Sequence, residues 1–312
     1  MITGQKTLEF TMEKTKESYH PFKSNKAKEA YLTYYDEHAK HWPIASECKL
    51  VETSFGQTFV RVSGPKDGFP LVLLPGDSEN SLAWISQIAE LSVDHRTYAV
   101  DNIYDNGRSI YARPMKKPSD FVDWLDELFV ALELKHINLL GFSYGGWQAS
   151  LYALSFPQRL NALVLLAPTA ISPSLGVMVR GIIQYFIPYR FIVKRYLYWY
   201  NADSVKNEKS REVIDRMVDE LLLSTRCFKR RGFVRPTVLT DQEWQSLEVP
   251  TLFLLGENEV TYSAKKAVQH LNNVAPNVKT LITSDAGHDL AIVKTEWVNN
   301  EVLKFLTSHQ EL

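Results

Sequence analysis

Two hydrophobic rhythms alternate along the chain. From about residue 70, short apolar-rich runs recur: PLVLLPG (70–76), RTYAVD (96–101), HINLLG (136–141), LNALVLLAP (160–168), PTLFLLG (250–256) and VKTLITS (278–284). Each predicts a strand, and the continuous run PLVLLPG predicts one buried on both faces. Between the runs, apolar residues fall three and four apart. That spacing predicts helices over 81–91, 119–134, 144–156, about 263–274 and about 296–308. Ahead of them, LVETSFGQTFVRVSG (50–64) alternates apolar and polar residues about Phe55-Gly56-Gln57, which predicts a hairpin. PKDG (65–68) predicts a further turn. Ser24 is placed to cap a helix running through Tyr31 and Tyr35 to about His41. Residues 1 to about 23 are polar and aperiodic, and are expected to be loosely held. Strands alternating with helices predict an α/β fold, with one mostly parallel sheet and helices on both faces.

The rhythm breaks from 171 to 248, too long a gap for a plain loop. The segment reads as helical and is dense in aromatics: Tyr185, Phe186, Tyr189, Phe191, Tyr196, Tyr198, Trp199 and Tyr200. It is expected to form a helical cap inserted between the sixth and seventh strands. Its aromatics serve either as ordinary core or as the roof of an apolar pocket. The expected organisation is an N-terminal extension with a helix (1–46), an α/β core (47–170 and 249–312) and the inserted cap (171–248).

Composition narrows the function classes. The 312 residues are 45% hydrophobic and 23% charged, which excludes a disordered or collagen-like chain. Lys plus Arg number 35 and Asp plus Glu 36, so the net charge of −1 gives no electrostatic footprint for nucleic acid or an anionic membrane, although a local basic patch is compatible with it. The two cysteines, Cys48 and Cys227, cannot build a disulfide framework and are expected to be buried or half-buried thiols. The most apolar stretch, 181–200, carries Arg190, Lys194 and Arg195, so it predicts no membrane span. The first 20 residues lack the apolar core of a secretory signal, and a cytoplasmic location is expected.

The chemistry centres on Gly141-Phe142-Ser143-Tyr144-Gly145. This G-x-S-x-G follows a predicted buried strand and precedes a helix. Such a junction is a tight, strained turn that exposes the serine hydroxyl above the strand end. The helix N-terminus then favours negative charge developing beside it. A serine nucleophile needs a base. Of the eight histidines, His288 lies in a short loop after a strand near the C-terminus, where such an architecture delivers one. An acid should orient it and leave a strand end between the two. The loop after PTLFLLG offers Glu257 and Glu259, and spacing alone does not choose between them.

With these pieces placed, the chain resembles an α/β-hydrolase over residues of about 50–308, through LVLLPG, AVDNIYDNGRS, GFSYGG, VPTLFLLGENEV and SDAGH. Within that family, FGQT, SGP, TYAVD and the GE-x-EV stretch are similar to bacterial carboxylesterases of the naproxen-ester-hydrolysing type. The resemblance implies Glu259 as the acid, three residues after the glycine closing its strand. It implies the backbone N–H groups of Asp77 and Tyr144 as oxyanion donors. The family's usual His-Gly before the oxyanion loop is here Pro75-Gly76, followed by Asp77, Ser78 and Glu79. The expectation is a serine esterase with a Ser143–His288–Glu259 triad and an acyl-enzyme intermediate. It needs no metal or cofactor and takes an apolar or aryl small-molecule ester. No nucleic-acid or membrane partner is expected, and the oligomeric state is left open. Lactonase, thioesterase, aminopeptidase or C–C bond hydrolase activity would use the same residues. A ligand-binding protein of this fold with little turnover is the rival from outside enzymology.

Overall fold

A computed structural model describes residues 19–309; most of the segment expected to be loosely held lies outside them. Helix α1 (Asn25–Ala39) starts where Ser24 accepts the Ala27 N–H. The hairpin follows as β1 (Ser46–Thr53) and β2 (Gly56–Ser63). Its turn sits one residue earlier than predicted, at Ser54-Phe55, because Gly56 already pairs with Thr53. Next come β3 (Phe69–Leu74), α2 (Ile88–Leu91), β4 (His95–Val100), β5 (Ile110–Tyr111), α3 (Pro118–Ala131), β6 (Ile137–Phe142), α4 (Tyr144–Ser155) and β7 (Leu160–Leu166). Helices α5 (Leu175–Phe186), α6 (Arg190–Tyr200), α7 (Glu208–Cys227) and α8 (Asp241–Gln245) fill the long gap. The chain ends with β8 (Thr251–Gly256), α9 (Ala264–Val274), β9 (Val278–Thr283), α10 (Leu290–Val293) and α11 (Thr295–Thr307).

The sheet order is β1-β2-β4-β3-β6-β7-β8-β9, antiparallel through the hairpin and its join to β4, and parallel from β4 onward. The central apolar runs are buried on both faces, whereas β9, at the sheet edge, buries only Val278. Leu71, Val72, Leu73 and Leu74 are sealed on both faces, as are Leu163 to Leu166 and Leu252 to Leu255. Each such side chain contributes about 1.5–3 kcal/mol on burial. Helix α3 packs on α4, and α2 on α11, to supply the cover.

Three expectations change in detail. The helix predicted over 81–91 is split into one 3₁₀ turn (Ser81–Trp84) and α2, because Asp101 holds the Ser81 N–H, Asn80 holds the Leu82 N–H, and the next bonds run i to i+3. The short β5 carries no readable period, so the inserted helices fall between β7 and β8 by the strand count used here. Cys227 is buried as expected, whereas Cys48 is exposed on the outermost strand. No helix among the described residues is long and apolar enough to cross a membrane.

Candidate active site

The strand order reverses at β3: β4 lies on one side of it and β6 on the other. Such a switch point opens a crevice at the carboxyl ends of the strands. The turn after β3 brings Gly76 and Asp77 to it, and the turn after β6 brings Ser143.

Ser143 stands in a conformation that non-glycine residues seldom adopt, with φ 51° and ψ −114°. This costs of order 1–3 kcal/mol and persists only where surroundings enforce it. Here its N–H donates to Leu166 O at 2.9 Å, and its carbonyl accepts from Trp147 and Thr169 N–H at 3.2 and 3.1 Å. The flanking glycines are sterically obligatory. A Cβ on Gly141 would lie 2.3 Å from Gly145 O, and one on Gly145 would lie 2.4 Å from Leu74 O.

The loop after β8 places its two glutamates differently. Glu257 is exposed, its N–H extending the ladder to Thr283 O. The Glu259 side chain is sealed, at 0% exposure, with Oε2 2.9 Å from His288 Nδ1. The Thr261 N–H donates to Glu259 Oε1 at 2.7 Å. Burial alone would push the Glu259 carboxyl up. His288 and the Thr261 bonds outweigh it and hold the carboxyl below its ordinary value. The imidazole of His288 packs between two rings, Phe142 at 5.1 Å and Tyr200 at 4.6 Å between centroids.

Tyr200 was not anticipated as more than part of an aromatic roof. It is the last residue of α6, and its hydroxyl shares a hydrogen bond with Thr261 Oγ1 at 3.2 Å and interacts with the Ser143 side chain. It thereby joins serine, imidazole and acid loop. Burial raises its phenol well above the ordinary value, so it stays protonated. Among the described residues the Ser143 hydroxyl makes no hydrogen bond to His288.

The acidic loop after β3 is arranged so that its charges do not confront the crevice bare. The Glu79 carboxylate folds back onto the Gly76 N–H at 2.9 Å, and burial pushes it up to about 7. Asp77 accepts from the Ser78 hydroxyl at 3.2 Å. The Ser78 N–H donates to Asp105 at 2.9 Å, and Asp105 is ion-paired with Arg231. Burial raises both Asp77 and Asp105, and the Arg231 guanidinium opposes that rise in each. The Asp77 N–H, between two engaged neighbours, donates to no other described residue, and the same holds for Tyr144 N–H at the start of α4. Arg231 was missed in the sequence because nothing marks it within Lys229-Arg230-Arg231.

Comparison with known proteins shows the family. Residues 70–200 match the alpha/beta hydrolase fold family. The carboxylesterase YbfK of Bacillus subtilis (strain 168) is 34% identical over 276 residues, covering 87% of this chain and 92% of that protein. The carboxylesterase nap of the same organism is 30% identical over 294 residues, covering 89% and 92%. The crystal structure of naproxen esterase (carboxylesterase NP) from Bacillus subtilis superposes with a TM-score of 0.82 at 28% identity, covering 90% of this chain and 99% of that one.

Proposed function

Because the chain belongs to the carboxylesterases of the alpha/beta hydrolase fold, we propose that its hydrolysis of carboxylic esters is carried by Ser143, His288 and Glu259. The enzyme is a serine hydrolase of esters. Ser143 Oγ attacks the acyl carbon while His288 Nε2 takes its proton. The same imidazole then protonates the departing alcohol. Water, deprotonated by His288, opens the acyl-enzyme and releases the acid and the free serine. Glu259 fixes the imidazole tautomer with hydrogen on Nδ1 and stabilises the imidazolium. The Thr261 N–H keeps the carboxylate turned toward the ring. Tyr200 holds the imidazole from above. The serine–imidazole hydrogen bond tightens with substrate in place, as is common for catalytic groups in unliganded enzymes.

The backbone N–H groups of Asp77 and Tyr144 receive the oxyanion. Neither needs a particular side chain, so Pro75 in place of histidine leaves both donors intact. Arg231 compensates the carboxylates that would otherwise oppose an oxyanion. We place α5–α8 as the cap, with Tyr196 and Tyr200 of α6 over the crevice, stacked on each other at 5.5 Å. That surface suits the apolar or aryl acyl group of an uncharged ester. Naproxen esterase, by its name, takes such a substrate.

One observation carries the reading: a sealed Glu259–His288 pair at 2.9 Å in the crevice where a strained serine caps a helix. The test is labelling with a fluorophosphonate probe together with a panel of p-nitrophenyl esters, thioesters, lactones and amides. Stoichiometric labelling that Ser143→Ala abolishes, with esters turned over best, is expected. An unlabelled native enzyme would overturn the assignment.

A further inference from the structure

Helix α5 faces the wrong way for a core element. Leu175, Met178, Val179, Ile182 and Ile183 fall three and four apart, on one side of the helix. That side points to solvent, with Leu175 75% and Ile182 53% exposed. The stripe continues beyond the helix through Ile187 and Phe191, both exposed. Single exposed apolar residues are ordinary, but a contiguous stripe on an amphipathic helix marks a contact surface.

The charge around the stripe is one-sided. From 171 to 202 the chain carries Arg180, Arg190, Lys194 and Arg195 and no acidic residue. Arg190 and Lys194 are consumed by Asp219 and Asp215 of α7, which anchor α6 to that helix. Arg180 and Arg195 are exposed, and among the described residues neither pairs with a carboxylate. Arg180 lies on the shoulder of the stripe, its guanidinium 4.3 Å above the Trp199 ring. An apolar stripe with a cation on its shoulder and no acidic residue from 171 to 202 is the pattern of a helix that lies in a lipid–water interface. A second copy of the chain fits less well, since a two-fold contact across α5 would bring Arg180 toward its own mate.

The surface is also joined to the active site. Just before α5, Ser174 N–H donates to Thr261 O at 2.5 Å and Ser174 Oγ donates to Val260 O at 3.0 Å, both on the loop that holds Glu259. We propose that the exposed face of α5 docks the enzyme on an anionic phospholipid surface, which brings the crevice to esters dissolved in that surface. The chain's neutral overall charge hides this local asymmetry. The docking does not depend on which residues form the triad.

The test is co-sedimentation of the full chain with phosphatidylcholine vesicles containing phosphatidylglycerol, beside pure phosphatidylcholine vesicles. Binding is expected to be about tenfold or more stronger with phosphatidylglycerol and to weaken as salt rises. Met178→Glu with Ile182→Glu is expected to reduce it by at least about tenfold while hydrolysis of a soluble p-nitrophenyl ester stays unchanged. Leu50→Gln, at an apolar site exposed on β1, serves as the control and should bind like the parent. Arg180→Gln tests the charge without touching the stripe, and should weaken binding to the anionic vesicles alone. Absence of vesicle binding would overturn the proposal. So would equal binding by the double variant, or a concentration-dependent dimer that the double variant abolishes in a chain that ignores vesicles.

Discussion

The carboxyl edge of the sheet and the segment inserted between β7 and β8 solve opposite problems with the same apolar side chains. At the sheet edge, every proposed catalytic group leaves the end of a strand whose neighbours are fixed by a parallel ladder. Ser143 even borrows Leu166 O from the adjacent strand for its own N–H. The inserted segment has a small separate core, in which Val193 and Leu197 of α6 meet Ile214, Val218 and Leu222 of α7. Other buried apolar residues of the segment, Phe228, Val234, Leu239, Trp244 and Leu247, join the main core, and polar contacts link it to the sheet edge. Tyr144 OH donates to Val234 O at 2.8 Å, Trp147 Nε1 to Thr237 Oγ1 at 3.0 Å, and Arg231 pairs with Asp105. Helix α1 adds Tyr31 OH to Glu220 at 3.2 Å. Reaction geometry thus rests on a cooperative lattice of strand ladders, whereas the cover divides its apolar residues between a small core of its own and the main one.

The largest expected effect lies at the sheet edge. Ser143→Ala should lower kcat for p-nitrophenyl ester hydrolysis by about 10⁴ or more, leaving only the contribution of binding and the oxyanion donors. Alanine should also leave the fold intact, so an unchanged melting curve accompanies the loss. Residual turnover within tenfold of the parent would dissolve the distinction between the two regions. Next comes Glu259→Gln, expected to cost about 10³–10⁴ in kcat because the amide favours the wrong imidazole tautomer. Glu257→Gln, two residues away and exposed, should be silent. A loss at position 257 equal to that at 259 would show that the geometry of the β8 loop has been misassigned.

What could be read from the residues follows the same division. Strands buried on both faces announce themselves as unbroken runs, and a turn bounded by Gly141 and Gly145 is a local matter, so the central sheet and the position of Ser143 on its turn were legible. Spacing alone did not separate Glu257 from Glu259, because each sits in the right loop; only the family resemblance pointed to Glu259. What separates them is that the Glu257 N–H is spent on the β9 ladder, turning its side chain outward. Tyr200 and Arg231 were invisible for a different reason. Their partners, Thr261 and Asp105, lie 61 and 126 residues away in the chain. The inserted segment was expected to be helical, but nothing in its sequence says that the apolar face of α5 turns outward.

Arg231→Met probes the junction of the two regions. It leaves Asp105 and Asp77 without their counter-charge beside the oxyanion loop. Breaking a mostly buried pair from one side costs about 2–3 kcal/mol at pH 7. The pH dependence has a definite sign. Both carboxyls are already pushed up by burial, and losing the guanidinium pushes them further. Protonation then relieves the penalty, so the deficit measured by denaturant unfolding should shrink at pH 5. A deficit equally large in acid would mean that Arg231 acts through packing alone.

The smallest effect belongs to the contact between α1, the 3₁₀ turn and α7. Glu220 Oε1 accepts from Tyr31 OH at 3.2 Å and from Asn80 Nδ2 at 2.7 Å. Burial pushes this carboxyl up to about 7 from an ordinary 4.5, with the two hydrogen bonds holding it back. A raised carboxyl binds its proton more tightly when folded. Below about pH 4.5 both states are protonated, and between 4.5 and 7 only the folded state is. Stability therefore falls as pH rises through that window and levels off above it. Glu220→Gln keeps an acceptor for both donors and removes the ionisation. Water reaches the half-buried side chain and screens the charge, so the gain above pH 7 should be only about 1 kcal/mol, or a rise of roughly 2 °C in Tm. At pH 4.5 parent and variant should melt together. Since Asn80 sits at the start of the 3₁₀ turn after the oxyanion loop, esterase activity measured at pH 8 tells whether this contact serves only to hold the cover. An unchanged kcat beside the higher Tm confines Glu220 to the cover, whereas a changed kcat would mean that the cover and the sheet edge are coupled through Asn80.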